Sequence, residues 1–127
     1  MYFFYEMNYT GKAFQSLWKD NILFLEINAY DKDLFGLLEI VLDAAEKQGS
    51  YNILWDFRMM EHPGYTKIPK IIYKATQLYS TIKNVERASV LVVEKYFKLS
   101  NTIIKAINSN DTSYVGCNPI EARQFVS

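Results

Sequence analysis

The segment NILWDFRMMEHPGYTKIP, residues 52–69, holds Asp56, Glu61 and the chain's one histidine, His62. Acid–base catalysis needs a base held by a fixed partner, and a metal site needs several converging ligands. One imidazole beside scattered carboxylates has neither spacing, so His62 reads as an exposed or locally bonded residue with a role on a binding surface. Asp56 closes an apolar run, and a carboxylate at a strand end can orient the following loop by accepting backbone hydrogen bonds. Cys117 is a single thiol with no second histidine to activate it, so it reads as unreactive. The sequence contains no GxGxxG, P-loop, CxxC, HExxH or GxSxG pattern. We expect no catalytic residue, no metal, no cofactor and no enzymatic activity.

Charge carries a further signal. The formal net charge of the 127 residues is zero, yet residues 1–66 hold 5 Lys/Arg against 10 Asp/Glu, while residues 67–105 hold 8 against 2. Lys67, Lys70 and Lys74 recur at three- and four-residue spacing and share one helix face. Such a face is either solvated or meets an acidic partner or an anionic ligand. Neither a continuous basic strip nor an aromatic nucleic-acid module accompanies it, so nucleic acid is not expected as a partner.

These residues must be positioned by the surrounding pattern. AFQSLW (13–18) and ILFLEIN (22–28) read as a hairpin turned at KDN (19–21), and YFFYEM (2–7) as an aromatic edge strand. Leu34, Leu38, Val41, Leu42 and Ala45 give a helical stripe running to residue 48, with Asp33 as cap and Gly49 as stop. YNILWDF (51–57) reads as a buried strand. Ile68, Ile71, Ile72, Ala75, Leu78, Tyr79 and Ile82 mark a second helix, with Pro69 in its first turn. ASVLVVE (88–94) is the clearest strand, being crowded with β-branched residues. A third helix uses Phe97, Ile103, Ile104 and Ile107 before the polar break NSND (108–111). TSYVGC (112–117) and PIEARQFV (119–126) complete a strand and a helix. The alternation predicts one α/β domain over residues 1–127, a single-layer mixed, largely parallel sheet with packed helices and right-handed crossovers.

The cadence of ILFLEI, NILWDF and ASVLVVE, each followed by an amphipathic segment, resembles the SpoIIAA-like fold of STAS domains and of the lipid-binding region of SEC14-type proteins. YVGCNPIEARQFV resembles the closing strand and helix of the bacterial STAS/SEC14-like group. This resemblance implies a regulatory or protein-interaction domain without catalysis; its alternative is a small-molecule or lipid-binding domain. In anti-sigma-factor antagonists of the STAS family, a strand ending in Asp leads to a phosphorylatable Ser or Thr. Here Asp56 ends the strand, the Asp-Ser pair is missing, and Thr66 is the nearest hydroxyl. A full SEC14-type pocket is not expected in so short a chain.

The segment 61–74 is therefore the expected partner surface, with His62, Tyr65, Thr66, Lys67, Lys70 and Lys74 contributing and Pro63 and Gly64 shaping a projecting loop. The 10 Tyr and 8 Phe either thicken the core or line a pocket for a small apolar ligand. Unpaired sheet edges also allow a homodimer. No apolar run approaches the roughly 20 residues of a membrane span, and the opening MYFFYEMNYTGKAF does not read as a signal peptide, so none is expected. The lone cysteine suits a reducing compartment, so a cytoplasmic location is expected.

Overall fold

The computed structural model describes residues 7–107 and 113–127. Its strands are β1 (Tyr9–Thr10), β2 (Phe14–Lys19), β3 (Ile22–Ile27), β4 (Tyr51–Asp56), β5 (Val85–Leu91) and β6 (Ser113–Gly116). Its helices are α1 (Leu34–Glu46), α2 (Ile68–Tyr79), α3 (Phe97–Ile107) and α4 (Pro119–Phe125). All six strands form one sheet in sequential order. The first two pairings are antiparallel and the remaining three parallel. The architecture is thus mixed α/β, a largely parallel six-stranded sheet packed against four helices.

Local chemistry explains the elements. Lys19 pairs with Ile22, leaving a two-residue turn in which Asp20 and Asn21 have φ of 54° and 62°. Two successive left-handed residues suit the right-handed twist of the flanking strands, and Asp and Asn tolerate that region best among residues with a Cβ. Every step from β3 to β6 moves in the same direction across the sheet, so crossovers of one hand bring α1, α2 and α3 to one face. Strand alternation then divides the core. Leu23, Leu25, Ile27 and Ile53 face these helices, whereas Ile22, Leu54 and Leu91 face α4 through Ala122 and Val126.

Several boundaries differ from expectation. α1 ends at Glu46, with Gly49 (φ 93°) beyond it. Asp33 makes no side-chain cap; instead its own N–H donates to Asp31 Oδ1, at 2.9 Å. β5 begins at Val85 and ends at Leu91, three residues earlier at each end than the apolar run suggested, and Glu94 belongs to a short 3₁₀ turn. β-Propensity marks burial there better than it marks pairing. Residues 2–6 of the expected first strand and the break at 108–111 lie outside the described residues.

Buried polar groups lock the sheet to its coverings. Ser89 Oγ donates to the Ala122 carbonyl at 2.7 Å, and Asn52 Nδ2 donates to the Val126 carbonyl at 2.8 Å. Asn52 Oδ1 also accepts from the Arg87 N–H, at the register shift between β4 and β5. Glu46, at the end of α1, accepts from the backbone N–H groups of Lys83 and Asn84 and so fixes the turn into β5.

Tyr51 is 1% exposed and packs on Trp18, with ring centroids 5.8 Å apart. Burial, reinforced by the Glu46 carboxylate, pushes its phenol far above the ordinary value of 10.0. The unfolded chain releases this proton first, so the associated stability is complete below about pH 10 and is lost as pH rises beyond it. In urea titrations above pH 10, the wild type should lose up to about 1.4 kcal/mol per pH unit through this group. Tyr51→Phe should not show that component; identical alkaline slopes would contradict the assignment.

Candidate functional site

Packing on the helical face is uneven. α1 buries Leu34, Leu38, Val41, Leu42 and Ala45 completely against the sheet. α2 presents an equally apolar stripe, yet Leu78 alone is fully buried. Its other inward residues, Ile71 and Ala75 among them, border a cavity of about 280 Å³. Trp55 and Phe57 at the carboxyl end of β4, Val90 of β5, and Ile103 and Ile104 of α3 form much of the facing wall. Trp55 and Phe57 stack nearly parallel, 7° apart in plane. The sequence left open whether the aromatics fill the core or line a pocket; Trp55 and Phe57 are half-buried and line one. The wall reaches Ile82 and Ser113 toward the amino ends of the parallel strands, and Met60, Glu61, His62, Pro63 and Val93 at their carboxyl ends. Ligands of α/β sheets settle at that end.

The loop after β4 supplies the polar wall. Gly64, at φ 93°, occupies a backbone region costly for other residues, and its N–H donates to His62 Nδ1 at 2.9 Å. With Nδ1 accepting, the imidazole proton lies on Nε2. That Nε2 is buried and has no hydrogen-bond partner among the described residues. The ring sits beside Tyr65 and Tyr96, at centroid distances of 4.8 and 5.4 Å, so its surroundings are largely aromatic. A stranded buried donor costs on the order of 1–3 kcal/mol. His62 is part of the pocket wall through its other atoms, while Nε2 itself is buried away from that space.

Asp56 stands apart. By alternation it shares the α4 face with Leu54 and takes no part in the cavity wall. Its Oδ1 accepts from the Arg58 N–H at 3.0 Å and from Nε at 3.1 Å, while Oδ2 accepts from Nη2 at 2.9 Å. These bonds hold the Arg58 guanidinium charged, above its already high ordinary value. Tyr65 is 74% exposed, and Thr66 and Lys67 are exposed in a 3₁₀ turn ahead of α2. Lys70 is exposed and Lys74 half-buried on α2. The structure therefore joins His62 to Tyr65 and leaves the lysines outside the wall. Glu61 is the one charged residue among the described cavity-lining positions. Among the described residues, no group of three or more His, Cys, Asp or Glu could hold a metal ion. Cys117 is exposed.

Sequence reasoning did not single out Trp55, Tyr96, Ala75 or Ile103 as site residues. The signal available was compositional, the abundance of aromatics. Periodicity shows which side of a helix faces inward and says nothing of how far it stands from the sheet. No family model matches the chain, and no curated protein matches it.

Asp56→Ala should free the loop that carries His62 without unfolding the sheet. The expected cost is about 1 kcal/mol, because the ion pair is partly solvated. Amide exchange at Arg58–Gly64 should accelerate while that of β4 stays slow. Unchanged exchange in the loop would show that Asp56 does not brace it.

Proposed function

We propose that this chain is a binding domain that holds a small, largely apolar molecule between the sheet and the α2–α3 pair. One observation carries the reading: a half-open apolar pocket of about 280 Å³ between the sheet and the α2–α3 pair, reaching the carboxyl ends of the parallel strands. Protein interiors ordinarily close such space, since lining atoms without neighbours forfeit dispersion contacts. The cavity sits at the lower end of ligand-pocket sizes and suits a compact molecule rather than a two-chain lipid. We read the domain as a holder rather than a catalyst. Asp56 stands on the α4 side of the sheet, away from Glu61 and His62, which share the pocket wall. The SpoIIAA-like, STAS/SEC14-like resemblance belongs to this proposal, supported by the strand–helix succession from β3 to α4. Among the described residues no helix is long and apolar enough to cross a membrane.

A second reading, a protein partner meeting segment 61–74, is supported by the exposure of Tyr65 (74%) and Tyr73 (64%) beside Lys67 and Lys70. An exposed aromatic next to positive charge can anchor an acidic partner. The two readings share α2, whose inner side lines the cavity and whose outer side carries these groups.

Scanning calorimetry with n-butylbenzene tests the first reading. At free ligand tenfold above Kd, the folded state should gain about 1.4 kcal/mol, or roughly 5 °C in Tm. Ala75→Phe, which places a ring in the cavity, should match or exceed the ligand-free wild type and show no further rise. A wild-type Tm that ignores the ligand, or an equal rise in Ala75→Phe, would reject the cavity as the binding site.

A further inference from the structure

We infer that the outer faces of α1 and α2 join two copies of this chain, the acidic α1 of each copy lying on the basic α2 of the other. The inference rests on the second reading above, whose acidic partner it identifies, and is independent of what fills the pocket. Charge, shape and symmetry each support it.

α1 carries Glu39, Asp43 and Glu46 and no basic residue, whereas α2 carries Lys70 and Lys74 and no acidic one, with Lys67 just ahead of it. Glu46 is engaged by the backbone N–H groups of Lys83 and Asn84. Glu39, Asp43, Lys67 and Lys70 are exposed, and among the described residues none of them makes an ion pair. Two neighbouring helices thus present opposite charges that the single chain leaves unmatched. An unrelated acidic protein suits α2 but meets Glu39 and Asp43 beside it as like charges, which is unfavourable. A second copy brings both signs.

The outer surface of α1 is the series Gly36, Glu39, Ile40 and Asp43, at the spacing of one helix face. Lys70, Tyr73 and Gln77 form the corresponding series on α2. Both include a large side chain in water, Ile40 at 50% exposure and Tyr73 at 64%. Glycine is unfavourable inside a helix, and a Cβ at Gly36 would meet nothing within 4 Å, so the fold itself gives no reason for it. A facing helix can approach closely there and lay its Tyr73 ring against Ile40.

α1 and α2 lie side by side. Each crosses over between successive parallel strands, so the two helices run in the same direction. A two-fold axis along the groove between them sets each α1 on the partner's α2, matches both charges twice and closes the assembly at two copies.

Sedimentation equilibrium of the full chain tests this. Wild type should show a monomer–dimer equilibrium whose Kd rises at least about tenfold between about 0.05 and 0.5 M NaCl, as screening shortens the reach of the charges. Lys67→Glu/Lys70→Glu and Glu39→Lys/Asp43→Lys, with folding checked by circular dichroism, should each be monomeric where wild type is dimeric. Mixed in equal amounts they should form a heterodimer, since one then has two acidic helices and the other two basic ones. The wild-type salt response stands by itself should a variant fail to fold. Wild type that stays monomeric up to its highest soluble concentration overturns the inference. A dimer unmoved by salt or by both pairs of substitutions does the same, as does a mixture that stays monomeric. Monomeric wild type that binds poly-L-glutamate, and loses that binding in Lys67→Glu/Lys70→Glu, overturns the self-pairing and leaves the reading of an acidic partner intact. Neither self-association nor poly-L-glutamate binding removes both.

Discussion

Volume left unfilled beneath α2 is the feature on which the rest of this structure turns. A sheet wound in one direction receives α1, α2 and α3 on the same face, and each must bring enough side-chain volume to close on it. α1 does so with Leu34, Leu38, Val41, Leu42 and Ala45. α2 and α3 meet each other and stop short of β4 and β5, leaving Trp55, Phe57, Ile71 and Ile103 around open space. Small apolar voids are destabilising at a rate that grows with their volume. A cavity of about 280 Å³ is a standing cost that an occupant would offset.

That cost is bearable because the remainder of the fold is firmly tied. α4 covers the opposite face, where Ala122 and Val126 are fully buried against Ile22, Leu54 and Leu91. Asn118 caps α4 through Oδ1, which accepts from the N–H groups of Ile120 and Glu121, and Ser89 and Asn52 reach its carbonyls from beneath. The cavity therefore has one rigid wall, β4 and β5, and one wall made of α2, α3 and the His62 loop. Preorganisation of the first limits the ordering that binding requires.

Much of this frame is written locally in the sequence. The Asp20–Asn21 turn, the α1 stripe and the proline-started α4 follow from turn chemistry and from the 3.6-residue period, and they occur where those rules place them. β5 was misplaced because Val92 is buried and Val93 half-buried beyond the last paired residue, so a propensity pattern overran the ladder. Asp33 does stand at the start of α1, but in a helical backbone conformation rather than the extended one usual for a cap, and its side chain accepts no helix N–H. The site was legible only in fragments. His62, Pro63 and Gly64 could be recognised as a shaped loop, but the stranded Nε2 depends on Tyr96, a neighbour distant in sequence. The cavity is a difference between helix position and side-chain size, which no single window of sequence records.

Function follows from the same imbalance. The outward side of α2 is basic and the inward side apolar, so one helix links whatever fills the interior to whatever meets the surface. An occupant that draws α2 and the His62 loop toward β4 would change the presentation of Tyr65 and Lys70. The central claim, that the volume beneath α2 is real, dry and accessible, is tested most directly by a crystal structure determined under xenon pressure. Xenon occupies apolar cavities of this kind. Electron density for xenon among Trp55, Ile71, Ala75 and Ile103 is the predicted result. A structure in which α2 rests directly on β4, with no xenon at that position, would contradict it.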